Sequence, residues 1–86
     1  MTTRFSVDLT KTQGTFFVSY NMYSIPDRLT VSHEGTTVFD TGGLVSGSRM
    51  ASVTYGTSAS TSTVVNVVVS APNSGTAWVV SVECAE

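Results

Sequence analysis

One cysteine in 86 residues, Cys84, excludes an intrachain disulfide. One cysteine and one histidine, His33, cannot build a Cys/His metal cluster. Charge is almost as scarce: 12% of the residues are charged, against about 25% in a typical soluble domain. The four basic residues, Arg4, Lys11, Arg28 and Arg49, are scattered, and the net charge is -2. Phosphate contacts need clustered Lys or Arg, so no nucleic-acid partner is expected. No apolar run approaches the roughly 18 residues of a membrane-spanning helix, so no membrane partner is expected. Met1-Thr2-Thr3-Arg4 leads directly into a strand-like pattern with no signal peptide ahead of it. The expected location is a virion assembled in a host cytoplasm, or an extracellular surface if the segment belongs to a longer secreted chain.

What fills the chain instead is hydroxyl and branched aliphatic residues. Ser and Thr together are about three residues in ten, and 41% of the chain is hydrophobic. Disordered chains are poor in apolar residues and rich in charge, so this composition describes a folded domain with a neutral surface. At this length a single domain over 1–86 is expected. Such a domain buries only about 60–65% of its unfolded surface, so its core has to be efficient.

The apolar residues recur with period two. Phe5, Val7 and Leu9 alternate with Ser6, Asp8 and Thr10, the mark of a half-buried strand. After a turn at Thr12-Gln13-Gly14, Phe16, Val18, Tyr20 and Met22 share one face. These two strands read as a hairpin or a sheet edge. Pro26 breaks the pattern and pushes Ile25 toward extended geometry. Leu29, Val31 and His33 mark a third strand, Glu34-Gly35 a tight turn, and Thr36 to Phe39 the returning strand of a hairpin. Gly42-Gly43 marks backbone that needs positive φ or close approach. Ala51, Val53 and Tyr55 mark a fifth strand, followed by a Ser/Thr-rich loop from Gly56 to Ser62.

Val64 to Val69 is almost continuously β-branched, which suits a strand and disfavours a helix. Valine on both faces suggests a central strand, or one whose outer face meets a partner. A turn at Ala71 to Gly75 precedes a last strand carrying Trp78, Val80, Val82 and Cys84 on one face. No helical period appears. The expected fold is all-β: a small antiparallel β-sandwich, Ig-like or jelly-roll-like, with about seven strands and no helix. Its core is expected to form from Phe16, Val18, Tyr20, Leu29, Val31, Phe39, Val53, Val67, Trp78 and Val80.

Three stretches stand out together: "YNMYSIPDR" from Tyr20, "HEGTTVFDTGGLVSG" from His33, and "APNSGTAWVVSVEC" from Ala71. As a set, Ile-Pro-Asp-Arg, Asp-Thr-Gly and Gly-Thr-Ala-Trp resemble a family of small bacterial and phage-associated β-sandwich accessory modules. The resemblance covers about three quarters of the chain and implies a sandwich appended to secreted, surface or phage-associated proteins. Family members often carry a second cysteine before Gly-Thr-Ala-Trp; this chain has Pro72-Asn73-Ser74-Gly75 there. The family's disulfide is therefore excluded, which fits maturation in a reducing compartment.

Asp27 and Asp40 sit in loops flanking the hairpin, beside Pro or Gly. With carbonyls of the Gly42–Gly47 loop they are candidates for a calcium site, since Ca²⁺ takes six to eight oxygens. The alternative is that each caps its own turn through backbone N–H groups. Arg28 pairs with Glu34 or Asp40, or anchors an interface. His33, in phase with Leu29 and Val31, reads as a packed or rim residue. No Gly-x-Ser-x-Gly motif supplies it with a nucleophile. Asp27, Glu34 and Asp40 invite a paired-carboxylate reading, but the chain is too short to build a substrate cleft around them, and no enzyme is expected. Of the aromatic rings, Trp78 reads as core, and Tyr23, in a loop beside Pro26, as the exposed ring that a sugar would stack on.

Two functions from different classes follow. One is a structural or interaction protein within a protein assembly, a homo-oligomer or a capsid lattice, in its concrete form a phage virion component such as a capsid decoration protein. Its contact residues would be Val64, Val68, Arg28 and Tyr23. The other is a secreted or surface binding module for carbohydrate, with or without calcium. No other cofactor is expected.

Overall fold

Alternation of β-branched and aromatic residues with Ser and Thr produces strands wherever it runs for five residues or more. The computed structural model describes residues 2–23, 27–70 and 78–84. Seven strands form: β1 (Thr2–Asp8), β2 (Gly14–Asn21), β3 (Arg28–His33), β4 (Thr36–Asp40), β5 (Ser48–Tyr55), β6 (Val64–Ser70) and β7 (Val79–Cys84). No helix occurs among the described residues. The turns expected at Ile25-Pro26 and at Ala71 to Gly75, the Gly-Thr-Ala part of the last motif and the side chain of Cys84 lie outside them.

The strands make two sheets, ordered β1-β6-β3-β4 and β5-β2-β7, and every pairing is antiparallel. The fold is thus the expected seven-stranded sandwich. The expected hairpin of the first two strands does not form: β1 lies at the edge of the four-stranded sheet against β6, and β2 is the centre of the other sheet. Only β3 and β4 are joined within one sheet; each of the other connections changes sheet. An Ig arrangement keeps its first two strands together in one sheet, so this strand order is not that of an Ig domain.

The odd-even phase of each strand decides what it buries. Phe16, Val18 and Tyr20 of β2 face Leu29 and Val31 of β3, and Val65, Val67 and Val69 of β6, in one closed core. The β-branched run is the expected central strand, with β1 on one side and β3 on the other. Seven of the ten expected core residues are buried; Phe39, Trp78 and Val80 are half-buried and pack against them. Trp78 stacks on Phe5 with ring centroids 6.4 Å apart and planes 5° from parallel. That pair closes the side where β1 and β7 form the sheet edges.

The β3–β4 hairpin turns through Glu34 (φ 51°) and Gly35 (φ 79°). Positive φ at both central residues is the type I′ turn, whose twist matches that of the strands it joins. A bulge follows: Val31 pairs with Phe39 but Ser32 with Thr37, leaving Val38 as the extra residue on β4.

Candidate functional site

The densest polar chemistry lies at this turn. Glu34 pays for its left-handed backbone, which costs an L-residue roughly 1–2 kcal/mol, by holding another loop. Its Oε2 accepts the backbone N–H of Thr61 at 2.8 Å, that of Ser62 at 3.0 Å, and the Thr61 hydroxyl at 3.3 Å. These bonds stabilise the ionised form, so the carboxyl falls from its ordinary 4.5 to about 2, the Thr61 N–H contributing most and the Ser62 N–H next. Oε1 is left facing His33 Nδ1 at 4.0 Å.

His33 is 3% exposed, carried inward by the phase it shares with Leu29 and Val31. Its Nε2 lies 2.8 Å from the carbonyl oxygen of Ser62. A carbonyl only accepts, so Nε2 carries a proton, and in the neutral form of the ring Nδ1 has a lone pair. The ring meets Tyr55 edge-on, centroids 5.0 Å apart. Tyr55 in turn donates its O–H to the carbonyl of Lys11 at 2.8 Å. Glu34, His33 and Tyr55 thus tie three loops together at one end of the sandwich.

A cleft of about 360 Å³ opens there. His33, Glu34, Tyr55 and Val38 line it, with Thr36, Thr54, Thr57 and Ser60 around them. Nothing in the residue pattern signalled this grouping, because the contributing segments are far apart along the chain. The one legible element was His33, whose phase marked it as packed.

The calcium candidates are not brought together. Asp27 is fully buried, and its backbone bridges Val45 through bonds of 3.0 Å and 2.9 Å. Carrying the inward odd-number phase of β3 back two residues would have placed it there. Arg28, the next residue, points out and grips Asp40 with two bonds, Nη2 to Oδ2 at 2.6 Å and Nε to Oδ1 at 3.1 Å. Asp40 also accepts the Gly42 N–H at 2.8 Å, the turn-capping role expected of it. Its carboxyl is held below the usual range, first by Arg28 and then by Gly42. Among the described residues no group of three His, Cys, Asp or Glu side chains is placed to hold a metal ion.

The interface candidates fall on different surfaces. Val64 and Val68 are half-buried on the outer face of the four-stranded sheet, where Val68 pairs with Arg4 on one side and Thr30 on the other. Arg28 is on that face too, spent on Asp40. Tyr23 is 49% exposed, as expected. It belongs with Phe17, Leu44, Met50 and Val79, the other large hydrophobic residues that the described part of the chain exposes.

Phe17, Met50 and Val79 all lie on the outer face of the three-stranded sheet. Phe17 pairs with Ser52 and Glu83, Met50 with Ser19, and Val79 with Asn21. Tyr23 and Leu44 stand where the chain runs on past that sheet, the carbonyl of Tyr23 accepting the Gly47 N–H at 2.9 Å. The pattern of the sequence showed Phe17 outward but not that these residues share a sheet.

No helix among the described residues is long and apolar enough to cross a membrane. Compared with known proteins, the chain matches no family model, no curated protein and no solved structure.

Proposed function

We propose that this protein is a non-catalytic interaction protein, a subunit or accessory of a larger protein assembly, and that it associates through the outer face of its three-stranded sheet. The observation that carries the reading is the one-sidedness of its exposed apolar residues. Met50 is 72% exposed, Val79 53% and Phe17 40%, all on one face, and the four-stranded sheet exposes no large hydrophobic residue among those described. Exposed apolar residues gathered on one face among polar ones mark an interaction surface. The surrounding residues are mostly Ser, Thr and Asn, with Glu83 the charge that pairs across from Phe17. Such a face loses little charge solvation when covered. A virion component such as a capsid decoration protein is the concrete form of this reading.

The test is solution mass by light scattering at micromolar concentration under reducing conditions. A defined oligomer is expected; a monomer throughout the micromolar range would overturn self-association through this face and leave only docking on a preformed lattice.

A second reading, a binding module for carbohydrate, has its own observation in the hydroxyl-lined cleft. That cleft sits at the Tyr55 end of β5, whereas Met50 is near the opposite end. Strands rise about 3.3 Å per residue, so the two surfaces are well separated and can be tested independently.

A further inference from the structure

We infer that the cleft beside the β3–β4 turn takes a vicinal diol of a pyranose, through Glu34 Oε1 and His33 Nδ1. The inference rests on the second reading above and gives it a place and a chemistry. Two of the four polar positions on these two side chains are committed elsewhere. Glu34 Oε2 is filled by Thr61 and Ser62, and His33 Nε2 by the Ser62 carbonyl. The remaining carboxylate oxygen and, in the neutral ring, the remaining nitrogen are both acceptors, and the two stand 4.0 Å apart at the cleft. Two acceptors side by side call for two donors. A single alcohol has one proton and satisfies one of them, whereas adjacent ring hydroxyls supply one each.

The rest of the lining selects between a diol and a cation. An ammonium group would also satisfy two acceptors, but it carries no acceptor of its own. Thr54 Oγ1 lies 3.5 Å from Thr15 Oγ1, but Thr36, Thr57 and Ser60 also line the cleft, and Thr57 and Ser60, whose oxygens accept the Ala59 and Thr57 N–H groups, keep O–H protons to donate. They match the remaining hydroxyls of a sugar ring. Val38 and Tyr55 provide the apolar wall that the C–H face of such a ring needs. The site is also preformed. The Glu34 clasp and the buried imidazole fix both acceptors before any ligand arrives, which spares the ordering cost of binding.

The experiment is an amide-resolved NMR titration of the full chain with methyl β-D-glucopyranoside, methyl β-D-galactopyranoside and methyl α-D-mannopyranoside, with methylammonium chloride as the competing cation. Saturable shifts with a millimolar dissociation constant are expected at Glu34, Gly35, Gly56, Thr61 and Ser62 for at least one glycoside. Thr36→Val removes a lining side-chain hydroxyl without touching the Glu34 clasp. It is expected to weaken that binding several-fold at unchanged melting temperature. Shifts at these amides with methylammonium alone would overturn the diol. Glycoside shifts confined to another surface would overturn the site while leaving the carbohydrate reading standing, and no glycoside shifts at all would overturn both.

Discussion

Glu34 Oε2 and the backbone N–H of Thr61 are 2.8 Å apart although 27 residues separate them in sequence. A tight turn of one hairpin thereby fixes the long loop that connects the two sheets on the far side of β5. The bond is made to the ionised carboxylate, so it ties the stability of this end of the molecule to pH.

The sign follows from the direction of the shift. The folded-state value of Glu34, about 2, lies below its ordinary 4.5. Between those values the unfolded chain binds more protons, so stability rises with pH across the window. The contribution is complete above about pH 4.5 and fades as pH falls toward 2. Asp40 and Asp8 shift in the same direction, Asp8 mainly through the Thr10 N–H. Melting temperature measured against pH is expected to fall on this acid limb. Glu34→Gln is expected to make the fall shallower without abolishing it, and superposable limbs for the two proteins would overturn the clasp. Amide exchange at Thr61 and Ser62 is expected to quicken in the same variant.

Adjacent phenylalanines give a sharp test of the sandwich. Phe16 is fully buried against Tyr55 at a ring distance of 5.6 Å, while Phe17 is 40% exposed on the outer face. Phe16→Ala is expected to cost about 3–5 kcal/mol, a large part of the roughly 5–15 kcal/mol that holds a domain folded. Phe17→Ser is expected to stay within about 0.5 kcal/mol of the parent in a denaturant melt.

Those two residues also mark what was legible in the sequence. A period-two pattern states which neighbour points in, so the seven strands and most of the core could be read from it. It says nothing about which strand lies beside which, because every strand here mixes Val with Ser or Thr. The partner of β1 is β6, and the cross-strand bond from Ser6 Oγ to Asn66 Oδ1 spans 60 residues. Only the β3–β4 pair, closed by a two-residue turn, carried its pairing locally. The cleft stayed hidden for the same reason. The calcium pairing of Asp27 with Asp40 rested on their loop positions and ignored phase, which sends Asp27 inward and leaves Asp40 to Arg28.

Calcium is accordingly expected to have no effect on stability. A ligand that binds the folded state raises its stability by mass action, so a site of useful affinity would show as a higher melting temperature in millimolar Ca²⁺ than in chelator. Equal melting temperatures are expected. A rise that Asp27→Asn or Asp40→Asn removed would overturn this.

Two glycines with the same backbone angle should respond differently to a methyl group. Gly35 and Gly56 both have φ near 79°. A Cβ on Gly35 meets nothing within 4 Å, so Gly35→Ala carries the left-handed penalty alone, about 1–2 kcal/mol. A Cβ on Gly56 would collide with the Thr12 carbonyl oxygen and come within 2.8 Å of Gln13 Cα, both backbone atoms that cannot swing aside. Gly56→Ala is expected to be clearly the more destabilising of the two in thermal melts. Equal losses would mean that the Thr12–Gln13 turn does not press on β5.

The two outer faces can be separated by lysine substitution. Met50 is 72% exposed, so Met50→Lys removes apolar contact area from the proposed interface at little cost to the fold. Val79→Lys does the same on the other edge strand. Both are expected to shift the light-scattering mass toward the monomer with melting temperature nearly unchanged. Val68→Lys acts differently. Val68 is half-buried and pairs with Arg4 across the ladder, so a lysine there sets like charges opposite each other. It is expected to lower the melting temperature while leaving the association of the folded protein intact. If Val68→Lys instead dispersed the oligomer and Met50→Lys did not, the contact would lie on the four-stranded sheet, and the exposed row of Phe17, Met50 and Val79 would have another use.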